Sequence, residues 1–341
     1  MTSSLDNTSS SKLRVAVIND TRPTNHYGCL MVMSNLEALL GQFNAEVIWT
    51  WPVSVDWRQS SQTLLNKPVV DLIIVNGEGT IHHGPRRWQA QALVDVAKFA
   101  HEKLNVPVHL INATLFANEP SLNEALREFD SIYVRDRASH DELNLLNIEN
   151  HFVPDMTFAL SSGLTHSPKK TLCVVDSVMQ SDLPKLKRFS KNQEADYCSM
   201  IVARPSNYSP WRKTRRFVLT TWRWLFKERN RSLDPKDFEK YLGNYELIVT
   251  GRYHTVTMCL KNKIPFVAIE SNTPKITFLL NEVFGDANRV IQINDLESLD
   301  LDCWTSFSVN ENKSIDQFLA FAKDENEKML GSILSSVVMS K

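Results

Sequence analysis

The chain has 341 residues, 43% of them hydrophobic and 23% charged, with a formal net charge of −1. Such a length predicts two domains of ordinary size, and the apolar fraction excludes a disordered or fibrous chain. Near-neutrality excludes a general field for nucleic acid, so any anionic partner has to be met by a local patch.

Apolar, β-rich runs alternate with helical patterns from Leu13 onward. The pattern predicts strands at 13–18, 46–51, 69–75, 106–112, 131–134 and 151–153, with helices at 30–40 and 87–104 between them. Near-continuous apolar strands separated by helices imply βαβ units and a parallel sheet covered on both faces. A polar stretch, Ser161 to Lys170, breaks the rhythm and reads as a linker. Strands then follow at 171–175, 199–203, 245–249, 266–269 and 290–293, and a helix at 314–338 closes the chain. The expectation is a disordered tail over 1–12, Rossmann-like domains over 13–160 and 171–341, and a cleft between them. Open sheets of this kind present their C-terminal strand ends to ligands there.

Cys29, Cys173, Cys198, Cys259 and Cys303 are scattered without a Cys-x-x-Cys pair, which speaks against a disulfide framework or a zinc site. The Ser-rich start lacks the apolar core of a signal peptide, and no apolar run approaches the ~18 residues of a membrane span. A reducing cytoplasm is the expected setting.

The strongest local signal lies between Tyr245 and Phe278. A strand ends in Gly251-Arg252-Tyr253 and a helix starts near His254. A second strand ends in Ser271-Asn272, where Thr273 suits an N-cap and Pro274 a first helical position, putting Lys275 in the first turn. Arg252 and Lys275 then share one end of two parallel strands, and with His254 and two helix N-termini they make an anion site. The competing reading pairs Arg252 with a core carboxylate and leaves His254 structural.

In the first half, Asn76-Gly77-Glu78-Gly79-Thr80 ends a strand and is followed by His82-His83-Gly84. The two glycines let the backbone approach a ligand, and Glu78 or a histidine suits acid–base work; the alternative is a tight turn alone. The spacing is not that of a dinucleotide fingerprint, and His82-His83 lacks a third metal ligand. Tyr133-Val134-Arg135-Asp136 is another strand end, with Ser139 and Glu142 readable as a capping box. Arg135 is either a second anion contact or the partner of Asp136 or Asp155. Asn25-His26-Tyr27-Gly28 precedes the first helix, where a nest of backbone N–H groups would face the cleft.

Between Trp211 and Arg231 there are eight Lys or Arg residues and one acid, Glu228. Val218, Trp222 and Leu225 fall on one helical face, and Arg212, Arg216, Arg223 and Lys227 on the other. This is the pattern of a basic amphipathic helix on an anionic membrane, with Arg216, Trp222 and Arg223 as contacts. The alternatives are a surface helix whose tryptophans pack on their own domain and a nucleic-acid contact, for which the patch is short and the chain near neutral.

Together, Asn25-x-x-Gly28, Asn76-Gly77-Glu78-Gly79-Thr80, Val134-Arg135-Asp136-x-x-Ser139, Pro154-Asp155, Gly251-Arg252-Tyr253-His254 and Pro265…Lys275 resemble the polysaccharide pyruvyltransferase family, in order and across most of the chain. Cys29 stands where many members have Asp, and Glu78 where many have Gly. The resemblance implies a GT-B-like architecture of two Rossmann-like domains, a phosphoenolpyruvate donor, and a sugar acceptor in a surface polysaccharide or its lipid-linked precursor. On that reading Arg252, Arg135, Lys275, Asn272 and Thr273 bind the donor. Asn25, Gly28, Gly77, Gly79, Thr80, His82 and His83 line the acceptor side, and His254, Asp155 and Glu78 are acid–base candidates. Phosphoenolpyruvate is then a co-substrate and the chemistry requires no metal. A nucleotide-sugar glycosyltransferase and a non-catalytic glycan-binding protein are the alternatives on the same architecture.

Overall fold

The computed structural model describes residues 11–205, 214–271 and 273–339; the Ser-rich start, Trp211 to Lys213 and Asn272 lie outside them. Strand β1 (Leu13–Asp20) leads to helix α1 (Tyr27–Gln42), then β2 (Ala45–Pro52), the short α2 (Ser61–Leu65) and β3 (Leu72–Glu78). Helix α3 (Trp88–Leu104), β4 (Val108–Ala113), α4 (Pro120–Ala125), β5 (Ser131–Val134), α5 (Arg137–Leu145) and β6 (His151–Phe152) complete the first half. The second half runs β7 (Lys170–Ser177), α6 (Leu183–Asn192), β8 (Asp196–Cys198), α7 (Thr214–Arg223), α8 (Pro235–Leu242), β9 (Tyr245–Gly251) and α9 (Tyr253–Lys261). It ends with β10 (Phe266–Ile269), α10 (Lys275–Phe284), β11 (Val290–Ile291) and α11 (Val309–Met339).

All strands pair in parallel, in the orders β2-β1-β3-β4-β5-β6 and β11-β10-β9-β7-β8. The second order is the first one repeated: the chain starts mid-sheet, steps outward once, then reverses past its own starting strand. Each sheet therefore has a topological switch point, between β1 and β3 and between β7 and β9, where open α/β sheets bind ligands. Successive residues face opposite sides of a strand, so Ala16 and Ile18 enter one core layer while Val15 and Val17 enter the other.

Two helices tie the halves together. In α1, Tyr27 and Met31 pack into the second domain's core, while Val32, Met33, Leu36 and Leu39 pack into the first. In α11, Ile315, Phe318 and Ala322 join the second core and Met329, Leu330, Ile333 and Leu334 the first. Each large apolar side chain so buried contributes roughly 1.5–3 kcal/mol.

Several local expectations differ from the structure. Strand β3 starts at Leu72, because Val69 is 75% exposed and Pro68 just before it has no N–H to donate. Residues 199–203 do not continue β8. The Asp176 carboxylate accepts from Ser199 Oγ at 2.8 Å and Met200 N at 3.1 Å, which draws the chain off the ladder. Ile201 instead bridges antiparallel to His26. Helix α5 is capped by Asp136, whose Oδ1 accepts from Ser139 N at 2.9 Å, so Ser139 and Glu142 form no capping box. At α10, Thr273 caps nothing. Glu270 accepts from the N–H of Thr277 at 3.0 Å and of Ile276 at 3.4 Å, so this helix N-terminus carries a carboxylate of its own.

Candidate active site

At the first switch point, Glu78 ends β3 with φ 41°, which turns its side chain back across the strand ends. Its carboxylate accepts from Thr21 Oγ at 2.6 Å, Asn76 Nδ2 at 3.2 Å and Cys29 Sγ at 3.4 Å. Gly77 packs so closely on β4 that a Cβ there would sit 2.5 Å from that of Ala113. At the second switch point Asp176 lies one residue before the end of β7 and Arg252 follows β9. Arg252 grips Asp176 through Nε–Oδ1 at 2.9 Å and Nη2–Oδ2 at 2.8 Å, a planar two-point pair.

Arg135, 4% exposed after β5, donates to Asp155 Oδ2 at 2.7 Å and to Thr114 Oγ at 2.8 Å, and its guanidinium lies over the Tyr253 ring. Asp155 also accepts from Thr157 N and Oγ. Burial alone would raise its carboxyl, but His254, Arg135 and Thr157 outweigh that and hold it well below the usual range. So stabilised an anion is a weak base; it suits holding Arg135 and His254 in place.

His254 is the second residue of α9, and its Nε2 has no hydrogen bond among the described residues, lying 3.8 Å from Asp155 Oδ2. No side chain caps α9; the N–H groups of Thr255 and Val256 donate to Arg252 O, which leaves those of Tyr253 and His254 to face an anion. Lys275 opens α10 and forms no ion pair among the described residues. A Cβ on Gly79 would lie 3.4 Å from Arg135 Nη2 and 3.7 Å from Lys275 Nζ, so this glycine leaves room between the two cations. Burial, reinforced by Arg135, pushes the Lys275 ammonium down to about 8, with Glu270 and Glu78 opposing. The crevice between Arg135, Tyr253, Lys275 and Phe278 encloses about 10 Å³, room for about one water, so the domains stand closed here. A larger cavity of about 790 Å³, near His109 and His151, opens at the N-terminal strand ends, the wrong end for a ligand of this fold.

Three donors meet where the domains touch. His26, Cys29 and His254 place one ligand atom each within 4.8 Å of one another, the one such group among the described residues. A contraction of about 1 Å would bring them to the edge of a tetrahedral site with ~2.0–2.3 Å bonds. Burial first, then the charges of His254, Arg252 and Lys275, hold His26 well below the usual imidazole range. Burial and Glu78 push the Cys29 thiol well above its usual value.

The residues singled out from sequence thus divide. Arg135, Asp155, Arg252, His254, Lys275, Glu78, Gly79 and Gly28 converge on the cleft, while Gly77 and Thr80 support its turn, with Thr80 N donating to Gly77 O at 3.1 Å. Asn25, in the left-handed region at φ 52°, accepts from Val202 N through its carbonyl. His82 pairs with Arg87 and His83 at the rim, and burial with those charges takes its pKa to about 4; His83 is exposed. Thr273 is buried and gives its carbonyl to Lys275 N. The sequence pattern singles out neither Asp176 nor Thr21, and gives His26 and Cys29 no role. The signal for Asp176 was present, a carboxylate ending an apolar run, Val174-Val175-Asp176.

Switch points on paired parallel sheets, with cations and a histidine at their carboxyl ends, define an α/β protein of GT-B-like architecture. A family model described as polysaccharide pyruvyl transferase matches residues 26–273, and the chain belongs to that family. No curated protein matches the sequence. Among solved structures, a putative UDP-N-acetylglucosamine 2-epimerase from Listeria monocytogenes is similar at TM-score 0.58 and 11% identity, covering 97% of this chain and 98% of its own. An α,α-trehalose 6-phosphate synthase from Burkholderia multivorans is similar at TM-score 0.53 and 12% identity over 97% and 98%. A Methanocaldococcus jannaschii UDP-GlcNAc 2-epimerase in complex with UDP-GlcNAc and UDP gives 0.53 and 12% over 90% and 99%. At these identities the likeness is one of fold.

Proposed function

We propose that this protein transfers a pyruvyl group from phosphoenolpyruvate to a sugar of a surface polysaccharide or its lipid-linked precursor, on the cytoplasmic side of the membrane. The observation that carries the reading is the Lys275 ammonium, in no ion pair among the described residues and set beside Arg135 and the N-terminus of α9. Phosphoenolpyruvate carries a phosphate and a carboxylate a few atoms apart, and Lys275, the α9 N–H groups and a released Arg252 fork would bind both.

The chemistry then follows. His254 gives a proton to the methylene carbon of phosphoenolpyruvate, leaving a cation at the central carbon beside its own carboxylate. One sugar hydroxyl adds there and phosphate leaves with the C–O pair; a second hydroxyl closes the ketal. Two hydroxyl protons are lost, one balancing the proton now in the methyl group and one leaving on phosphate. Glu78, at the acceptor side with Thr21, Asn76 and Cys29 around it, takes the hydroxyl proton. Asp155 positions His254 and Arg135.

The test is phosphate release from phosphoenolpyruvate with a panel of saccharide acceptors, compared with Arg252→Ala. Release no greater than in the variant sinks the proposal. Thermal stabilisation by UDP-sugars and none by phosphoenolpyruvate would favour a nucleotide-sugar transferase. Saccharide binding without turnover, indifferent to His254→Ala, would mark a binding protein.

A further inference from the structure

Helix α7 buries none of its residues, and the chain continues from it into a wider π-type turn over Trp224–Glu228. Val218, Leu219, Trp222, Leu225 and Phe226 are 57%, 57%, 53%, 46% and 71% exposed. Their spacing, i, i+1, i+4, i+7 and i+8, is that of an apolar helix stripe, here turned to solvent instead of a core. Phe217, Thr221 and Trp224 occupy the opposite, half-buried side. Arg215, Arg216, Lys227 and Arg229 are exposed around the stripe, and Lys227 Nζ sits 5.7 Å over the Trp222 ring. The one acid of this stretch, Glu228, is 7% exposed and turned inward.

Arg223 is not part of this face. Its guanidinium is held by Glu228 and donates to Ile201 O at 3.1 Å, so the sequence expectation of a lipid contact there is corrected: a buried carboxylate outcompetes the surface. Glu228 in turn accepts from Ala203 N. The segment so clamped is the one that meets the acceptor loop: Val202 N donates to Asn25 O at 3.0 Å, Tyr27 N to Met200 O at 3.1 Å, and Ile201 bridges His26. The exposed helix and the lip of the cleft are thus one braced unit.

We infer that residues 214–229 are an interfacial anchor that seats this face of the protein on an anionic lipid bilayer. Leu, Trp and Phe enter the headgroup boundary, and Arg215, Arg216, Lys227 and Arg229 meet lipid phosphates. No helix among the described residues is long and apolar enough to cross a membrane, so the contact lies in the interface plane. Charge selects this occupant over a second copy of the chain, because a two-fold contact would set these four cations against themselves. The docking stands on the exposed face alone. Its link to the Asn25–Tyr27 loop, which would receive a lipid-linked sugar, rests on the pyruvyl-transfer reading.

The experiment is co-sedimentation of the full chain with phosphatidylcholine vesicles, with and without phosphatidylglycerol, across a salt series. Wild type is expected to bind the anionic vesicles and to be released by salt. Trp222→Ser with Phe226→Ser, and separately Arg215→Glu with Arg216→Glu, should each lower partitioning at least about tenfold. Both double variants should keep the wild-type Tm and phosphate release with a soluble acceptor. Absent binding by wild type, or equal binding by the variants, overturns the inference. So does self-association without vesicles that Phe226→Ser abolishes, which would make the face a protein interface. Vesicle binding as expected with no turnover of phosphoenolpyruvate upholds the anchor and removes the pyruvyl reading.

Discussion

The backbone of Gly28 lies directly against the imidazole of His254: a Cβ built on Gly28 would sit 2.1 Å from the ring's Cγ. One residue comes from the first helix of the first domain and the other from the first turn of α9 in the second, so this contact registers the two halves at the point where chemistry is proposed.

Gly28→Ala is therefore expected to displace the ring or part the domains. Misplacing a reacting group by about 1 Å can cost on the order of 100-fold in rate. The fall should appear in kcat, with a stability loss of about 1–3 kcal/mol from overpacking. Stopped-time assays and thermal melts check it; wild-type kcat in the variant would show that His254 does not act from this position.

Lys275 gives the second prediction. With its pKa lowered to about 8, the ammonium that would bind phosphoenolpyruvate is lost as pH rises through that value, so kcat/KM should have an alkaline limb near 8. The limb should vanish in Lys275→Met, whose residual activity is low at every pH. The stability sign is opposite. A folded pKa below the unfolded ~10.4 means the unfolded chain binds more protons between about 8 and 10.4, so stability contributed at this position rises with pH across that window. Lys275→Met should accordingly melt higher than wild type at pH 7. A lower Tm would mean that the ammonium has a stabilising partner.

The architecture was legible because burial on both faces of a parallel sheet writes itself as unbroken apolar runs such as Leu72–Val75 and Ile248–Val249. The strand ends were legible for the same reason: Arg135, Arg252 and Glu78 stand where those runs stop. The partners of these residues were not, because Asp155 and Asp176 are 20 and 76 positions away and are set by strand order, which no local pattern encodes. The departure of residues 199–203 from β8 was hidden likewise, since it depends on Asp176 reaching across from β7. Least legible was the meeting of His26, Cys29 and His254, which exists because α1 packs into both cores.

Asp155 supports the third prediction. Asp155→Asn leaves Arg135 buried without its carboxylate, a change that typically costs about 3–5 kcal/mol. Because the folded pKa of Asp155 is depressed, its stabilisation is present above the unfolded value of ~3.9 and is lost as pH falls further below it. Chemical denaturation from pH 7 down to about 2 should show a steep acid limb in wild type and a shallower one in the variant. Parallel limbs would mean that another carboxylate carries the acid sensitivity.

The last prediction concerns His26, Cys29 and His254. One sulfur and two ring nitrogens are the donor types that zinc takes; because His26 Nδ1 accepts from Gly28 N at 3.2 Å, its ring proton sits on Nε2, and zinc there would have to displace that proton to Nδ1 at the cost of this bond. Added Zn²⁺ is therefore expected to inhibit by capturing His254, the proposed proton donor, and a chelator should restore activity. Cys29→Ser should need at least about tenfold more zinc for the same inhibition, and Co²⁺ in its place should show a thiolate charge-transfer band in wild type that the variant lacks. Arg252 and Lys275 stand close by and repel a second cation, so the site should hold one ion only weakly in competition with substrate. Phosphoenolpyruvate should protect wild type against zinc. Inhibition indifferent to both Cys29→Ser and substrate would mean that zinc acts elsewhere, and would leave His254 to its role as an acid.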